Sequence, residues 1–257
     1  MAEHFVIPDT QVSPEHNALD HLTAAGNYIV ERKPDKIIHL GDHWDMNSLS
    51  SYDKGTKKAE GKRVHEDIEA GILGMEALMK PINDYNAQRR KNKMRLYKPE
   101  MHFCLGNHEE RIMRHVNADP AMAGFLSYDN LELDKFGWKV HDFLELVELD
   151  GIHYTHYVAN PNTGRPWGGV AKTRLNNVGF TFTMGHQQGK DQAEKYLANG
   201  QVLRALIVGS YYQHDEDYKG YQGNAHWRGC IYKHDVNGNG DYSLMELPIE
   251  YMIKEWV

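Results

Sequence analysis

Residues 36–45 read Lys-Ile-Ile-His-Leu-Gly-Asp-His-Trp-Asp, and this stretch decides the fold. An apolar run from Lys36 to Leu40 enters a Gly-Asp loop abruptly, which is how a buried strand ends at a turn. The pattern recurs on either side. Upstream, Phe5 to Ile7 ends at Pro8-Asp9-Thr10-Gln11, and downstream, Met101 to Leu105 ends at Gly106-Asn107-His108-Glu109. Between the first two strands, Ser13 to Arg32 has helical spacing, with Ser13 as N-cap, Pro14 in the first helical position and Lys33-Pro34 as the stop. Between the second and third, Ile68, Ile72, Met75 and Leu78 or Met79 share one helical face. Strand, helix, strand, helix, strand in this order implies parallel strands joined by crossover helices.

From about Trp138 the strand signals crowd together: Trp138 to Val140, Phe143 to Leu149, Ile152 to His156, Phe180 to Met184 and Leu203 to Val208. A C-terminal pair follows around Cys230 to Tyr232 and Tyr242 to Leu247. This half reads as a second sheet, more antiparallel than the first. The expected class is α/β, two packed mixed β-sheets flanked by helices, in a single domain over residues 1–257.

The bulk numbers fit that class and exclude others. A chain of 257 residues with 40% hydrophobic and 25% charged side chains can bury a core without staples. The net charge of −7 argues against a protein that grips long nucleic acid through phosphate contacts alone. Two cysteines, Cys104 and Cys230, lie in apolar stretches and read as buried thiols, not as a disulfide framework. With no signal peptide and no membrane-length apolar run in the reading, the expected location is cytoplasmic.

In open α/β sheets, functional groups gather beyond the carboxyl ends of the strands. The loops named above then belong together. Asp9, Asp42 and Asn107 supply hard oxygens, Gln11 adds an amide oxygen, and His108 follows Asn107. Downstream, His156 ends a strand whose alternation puts Ile152, Tyr154 and His156 on one face, and His153 would take its place if the register slipped. Phe180 to Met184 ends at Gly185-His186-Gln187-Gln188. Carboxylates, amides and imidazoles in one cluster suit Mn²⁺, Fe, Zn²⁺ or Mg²⁺.

These five blocks, in this order over residues 9 to 188, resemble the signature of the calcineurin-like metallophosphoesterases. That family has Asp-x-His, Gly-Asp-x-x-Asp, Gly-Asn-His-Glu, a lone strand-end His and Gly-His-x-His. The resemblance implies a four-layer αββα sandwich and two divalent cations, Mn²⁺ first among them, bridged by Asp42. One cation would take Asp9, Gln11, Asp42 and Gln188, and the other Asp42, Asn107, His156 and His186. A metal-activated water would attack phosphorus, His108 would assist at the phosphoryl group or leaving oxygen, and Asp45 would stand behind the ligands in support. Gln11 and Gln188 depart from the family, which has histidine there, so the first site is expected to bind more weakly. They stand as ligands, as donors behind the ligands, or as marks of a lost site.

The implied activity is hydrolysis of a phosphodiester, in a nucleotide or nucleic acid. A phosphomonoesterase and a non-catalytic metal- or phosphate-binding module are the alternatives. Arg111 and His43 are expected at the substrate, with Arg114 and Trp44 nearby and Asn160 to Gly169 as a lid loop. The basic run Arg89 to Arg95 is the one concentrated positive segment, a guide for a polyanion or a solvated connection. Asp235 to Glu246 fits the EF-hand calcium pattern, but its flanks are β-like and Asn-Gly-Asn-Gly between alternating runs predicts a hairpin.

Overall fold

The structure is a computed structural model that describes residues 1–216 and 220–257. The three founding strands are β1 (Ala2–Ile7), β2 (Lys36–His39) and β3 (Glu100–Cys104), paired in parallel. The crossovers are α1 (Asp20–Arg32) and α2 (Val64–Lys91). The chain continues through α3 (Glu110–Ala118), β4 (Lys139–His141), β5 (Val147–Leu149), β6 (Ile152–Thr155), α4 (Ala171–Val178) and β7 (Phe182–Met184). It ends with β8 (Asp191–Tyr196), β9 (Val202–Ile207), α5 (Gly220–Asn224), β10 (Gly229–Val236), β11 (Ser243–Pro248) and α6 (Ile249–Trp256).

Two mixed sheets result, one of six strands in the order β11-β10-β1-β2-β3-β4 and one of five in the order β5-β6-β7-β9-β8. Alternation along the founding strands explains the layering. Phe5, Ile7, Ile37, Phe103 and Leu105 face α1, α2 and α6, whereas Val6, Ile38 and Cys104 face the second sheet. There they meet Ile152, Tyr154, Leu206 and Val208, and the far face of the second sheet (Phe182, Ala205, Ile207) is covered by Ala171 and Leu175 of α4. Strands buried on both faces are why the sequence shows short unbroken apolar runs instead of a polar alternation.

Three expectations are corrected. The helix begins at Asp20, not Ser13, because residues 12–16 are tied elsewhere. Val12 N–H donates to His43 O and Asp45 N–H to Val12 O, which pins this segment to the loop after β2. The second sheet does not take everything after Trp138. β4 pairs in parallel with β3, and the β10–β11 hairpin returns to β1, pairing Ile231 with Val6. Residues 143–146 form a turn instead of the start of a strand, with Glu145 N–H on Asp142 O and Leu144 in the left-handed region.

Both cysteines are free and buried, as their apolar setting predicts. Residues 237–242 form the loop of the β10–β11 hairpin, and Glu246 is ion-paired with Lys190, so the EF-hand pattern has no helices around it. Among the described residues, no helix is long and apolar enough to cross a membrane.

Candidate metal centre

The loops after β1, β2, β3, β6 and β7 meet at one end of the sheets, and glycines let them approach. A Cβ on Gly106 would lie 2.2 Å from Asp42 Oδ1, and one on Gly185 would lie 2.6 Å from Asp9 Oδ1. Any side chain at either position would push a carboxylate out of the centre. Gln11, Asp42 and His186 take positive φ, at 41°, 49° and 63°. Each costs about 1 kcal/mol or more and is held by the surrounding contacts.

One carboxylate clamps the centre. Glu109 is fully buried, and its two oxygens accept four backbone N–H groups: Asp42 (2.9 Å), Gly106 (2.8 Å), His43 (2.8 Å) and Trp44 (3.0 Å). It therefore fixes the loop after β2 against the loop after β3. Sequence pattern alone assigns Glu109 no role; its position at the mouth of α3, beside a Gly-Asn turn, is the signal for one.

Asp42, His156 and His186 each offer a ligand atom, all within 4.8 Å of one another, and they form a candidate metal-binding group. His156 shows why a positive charge belongs there. Its Nδ1 lies 2.8 Å from Leu40 O and so carries the hydrogen, leaving a lone pair on Nε2. That lone pair faces Asn107 Oδ1 at 2.9 Å and Asp42 Oδ2 at 3.4 Å, which are both acceptors. His186 Nδ1 lies 2.6 Å from the same Asn107 oxygen. Turning the Asn107 amide over would satisfy both rings but leave Asp42 against the His156 lone pair. Only a proton or a cation resolves the arrangement. Burial would lower the His156 pKa, but Asp42 outweighs it and lifts it to about 9. Burial lowers His186 to about 4, helped by the charge of His156, so His186 presents a neutral ring.

The opposite wall is also short of partners. Asp9 Oδ1 accepts from the His186 N–H at 3.0 Å, whereas its buried Oδ2 has no partner. Burial pushes the Asp9 carboxyl up to about 7. Gln188 Nε2 donates to Gln11 Oε1 at 3.3 Å, and Gln188 Oε1 is buried without a donor. Buried oxygens without donors, Asp9 Oδ2 and Gln188 Oε1, are the kind of atom that suits a hard divalent cation.

His108 stands between the carboxylates, its Nδ1 2.9 Å from Asp45 Oδ1 and its Nε2 3.7 Å from Asp42 Oδ2. Burial acts to lower its pKa, yet Asp42 and Asp45 together raise it. Arg111 Nη1 donates to Asp45 O (2.7 Å) and Met46 O (3.2 Å), and Nη2 lies 3.1 Å from His108 Nε2. These groups open on a cavity of about 430 Å³ lined by Gln11, Asp42, Asn107, His108, His186 and Gln188. His226 also lines it, a residue the sequence reading missed because it belongs to no block.

Several expected residues lie elsewhere. His43 does not face substrate: it is fully buried, with Nδ1 2.7 Å from Thr10 Oγ1 and Nε2 2.9 Å from Gly71 O. The positive φ of Asp42 turns the chain so that His43 and Trp44 point into the core. His153 points away from the centre, toward Phe180 and Glu148. Arg114 lies over the Phe143 ring. Residues 160–169 form a compact exposed turn, closed by Asn160 N–H on Arg165 O. The run Arg89 to Arg95 ends α2, and Tyr97 just beyond it donates to Pro34 O before β2, so it lies at the amino ends of the strands, away from the centre.

The chain is thus an α/β protein with two helix-flanked mixed sheets and a candidate metal group at their carboxyl ends. No family model matches it. The gene 54 protein of Mycobacterium phage L5 is 25% identical over 213 residues, covering 80% of this chain and 77% of that protein. The gene 54 protein of Mycobacterium phage D29 is 23% identical over the same lengths. Neither name states an activity. Among solved structures, that of TT1561 of Thermus thermophilus is 9% identical with a TM-score of 0.34, covering 96% of this chain and 99% of that one. Another solved chain has a TM-score of 0.41 at 10% identity and the same coverage. Likeness at this level carries no argument, so the reading rests on the centre itself.

Proposed function

We propose that this protein is a metal-dependent phosphoester hydrolase of the calcineurin-like metallophosphoesterase type, acting on a phosphodiester. The observation that carries this is the convergence of Asp42, His156 and His186, whose ligand atoms lie within 4.8 Å of one another, with the Asn107 side-chain oxygen 2.9 Å from His156 and 2.6 Å from His186. The short approach of Asp42 to His156 calls for a positive charge there, a proton when no metal is bound or a metal cation when one is. Asp42, Asn107, His156 and His186 would hold one divalent cation, and Asp9, Gln11, Gln188 and Asp42 a second. Gln11 and Gln188 offer amide oxygens where imidazole would bind more tightly, which favours Mn²⁺ or Mg²⁺ on that side. When bound, such cations act as Lewis acids toward a phosphoryl oxygen and acidify a water.

The chain's own groups do the rest. Asp45 Oδ1, 2.9 Å from His108 Nδ1, and Asp42 favour the charged ring, and His108 in that form would donate to the phosphoryl group or leaving oxygen. Arg111, anchored on two carbonyls, keeps Nη2 beside it for a phosphate oxygen. Long nucleic acid is disfavoured, because Arg89 to Arg95 lies at the other end of the strands.

The test is hydrolysis of bis(p-nitrophenyl) phosphate and p-nitrophenyl phosphate with added Mn²⁺, by the wild type, Asp42→Asn and His108→Ala. Diester turnover is expected, falling at least about 10²-fold in either variant at unchanged circular dichroism. Faster monoester turnover would identify a phosphomonoesterase. No turnover of either ester by a folded protein would identify a non-catalytic binding module.

A further inference from the structure

The cavity at the centre does not end there. A second cavity of about 340 Å³ adjoins it, and His226 lines both. His226 is fixed at this junction: its Nδ1 lies 3.1 Å from Gly223 O, and its Nε2 lies 3.0 Å from Ser210 Oγ. Ser210 is itself bridged to Asp9, so the junction abuts the wall of the metal centre. The volume is within the roughly 300–1,000 Å³ of pockets that bury small organic ligands.

The lining of the second cavity restricts what it can take. Trp227, Pro248 and Ile249 give it apolar surface, and Asp215 and Glu250 give it carboxylate acceptors. Arg228 also lines it, but its charge is already committed. Nη2 lies 2.7 Å from Asp215 Oδ1, Nη1 donates to Gln213 O at 3.0 Å, and the guanidinium lies over the Tyr212 ring. A second phosphate would meet the Glu250 carboxylate with Arg228 spent on Asp215. A neutral group with an apolar face and hydroxyl or amino donors meets both kinds of surface.

We infer that this second cavity is a subsite for a neutral nucleoside, the non-departing alcohol of a phosphodiester whose phosphate lies at the metal centre, with His226 at the joint. The inference rests on the hydrolase reading above and adds the substrate class to it. A nucleotide diester then binds as a short two-part ligand, one part held by charge and one by shape and hydrogen bonds.

The experiment compares two diesters with the same leaving group, thymidine 5′-(p-nitrophenyl) phosphate and methyl p-nitrophenyl phosphate. It uses Mn²⁺-loaded wild type and Glu250→Trp, which fills the cavity from an exposed position. The wild type is expected to prefer the nucleoside ester at least about tenfold in kcat/KM, mainly through KM, and Glu250→Trp to abolish most of that preference. Equal rates for the two esters in the wild type, or a preference that survives the filled cavity, would overturn the subsite. If neither ester is turned over, the hydrolase reading fails and calorimetry decides the subsite separately. Thymidine 5′-monophosphate binding that weakens about tenfold or more in Glu250→Trp supports it, and absent or unchanged binding overturns it.

Discussion

Two of the buried polar clusters among the described residues are built on opposite terms. Between the sheets, Lys233 is fully buried with its Nζ against Tyr154 Oη (3.3 Å) and Thr183 Oγ1 (2.5 Å), flanked by the Tyr154 and Tyr242 rings. His4 joins Tyr154 at 2.7 Å and Asp150 at 2.8 Å, and Lys36 closes on Asp150 at 2.8 Å. Each of these donors and acceptors finds its complement within the chain. At the strand ends, acceptors face acceptors and Asp9 Oδ2 and Gln188 Oε1 have no donor. A complete network is structural, whereas an incomplete one of this density is built around something else.

The sharpest way to break this contrast is Glu109→Gln. The new amide places a donor against backbone N–H groups that the carboxylate had satisfied, and loss of charge-assisted hydrogen bonds costs about 3 kcal/mol or more. Urea denaturation should show that loss, together with weaker Mn²⁺ retention. A small change in both would mean that the clamp is dispensable.

Acid should act on the other cluster. Burial lowers His4 to about 4, against the pull of Asp150, from an unfolded value near 6.5. The unfolded chain then binds more protons between those values, so the contribution is complete above pH 6.5 and is lost as pH falls toward 4. His4 should account for roughly 2 kcal/mol of the stability lost between pH 6.5 and 4.5, read as a falling urea midpoint, and His4→Gln should reduce that slope by about this amount. An unchanged slope in His4→Gln would show that His4 has no part in the acid sensitivity.

The smallest effect is expected from Lys233→Met. Burial drives the Lys233 amine well below its ordinary pKa, which weakens the hold of its charge on the surrounding hydroxyls. Replacing it with an apolar chain of similar length should change stability by about 1 kcal/mol or less, in either direction. A loss of several kcal/mol would show that the network, not the packing, carries the contact between the sheets.

The sequence made the strand ends legible because each founding strand stops at a glycine or proline turn, and those turns carry the polar residues. Asp42, Asn107, His156 and His186 come together as their blocks imply. Local pattern could not show that β10 pairs with β1 from the far end of the chain, or that the helix expected at Ser13 yields to the contacts of Val12 with His43 and Asp45. Nor could it give the direction of His43, which depends on the positive φ of the residue before it. His226 was illegible for the same reason: its place depends on Ser210 and Asp9, residues far away in sequence.

The Glu109 clamp bears on how such a protein can diversify. Because one side chain reads the backbone of both residues 42–44 and residue 106, an added or deleted residue in either loop breaks the fit at four points. Length variation is therefore expected in exposed segments that Glu109 does not touch, such as the turn at 160–169. New properties would arise by lengthening or trimming segments of that kind, around a centre whose residue count stays constant.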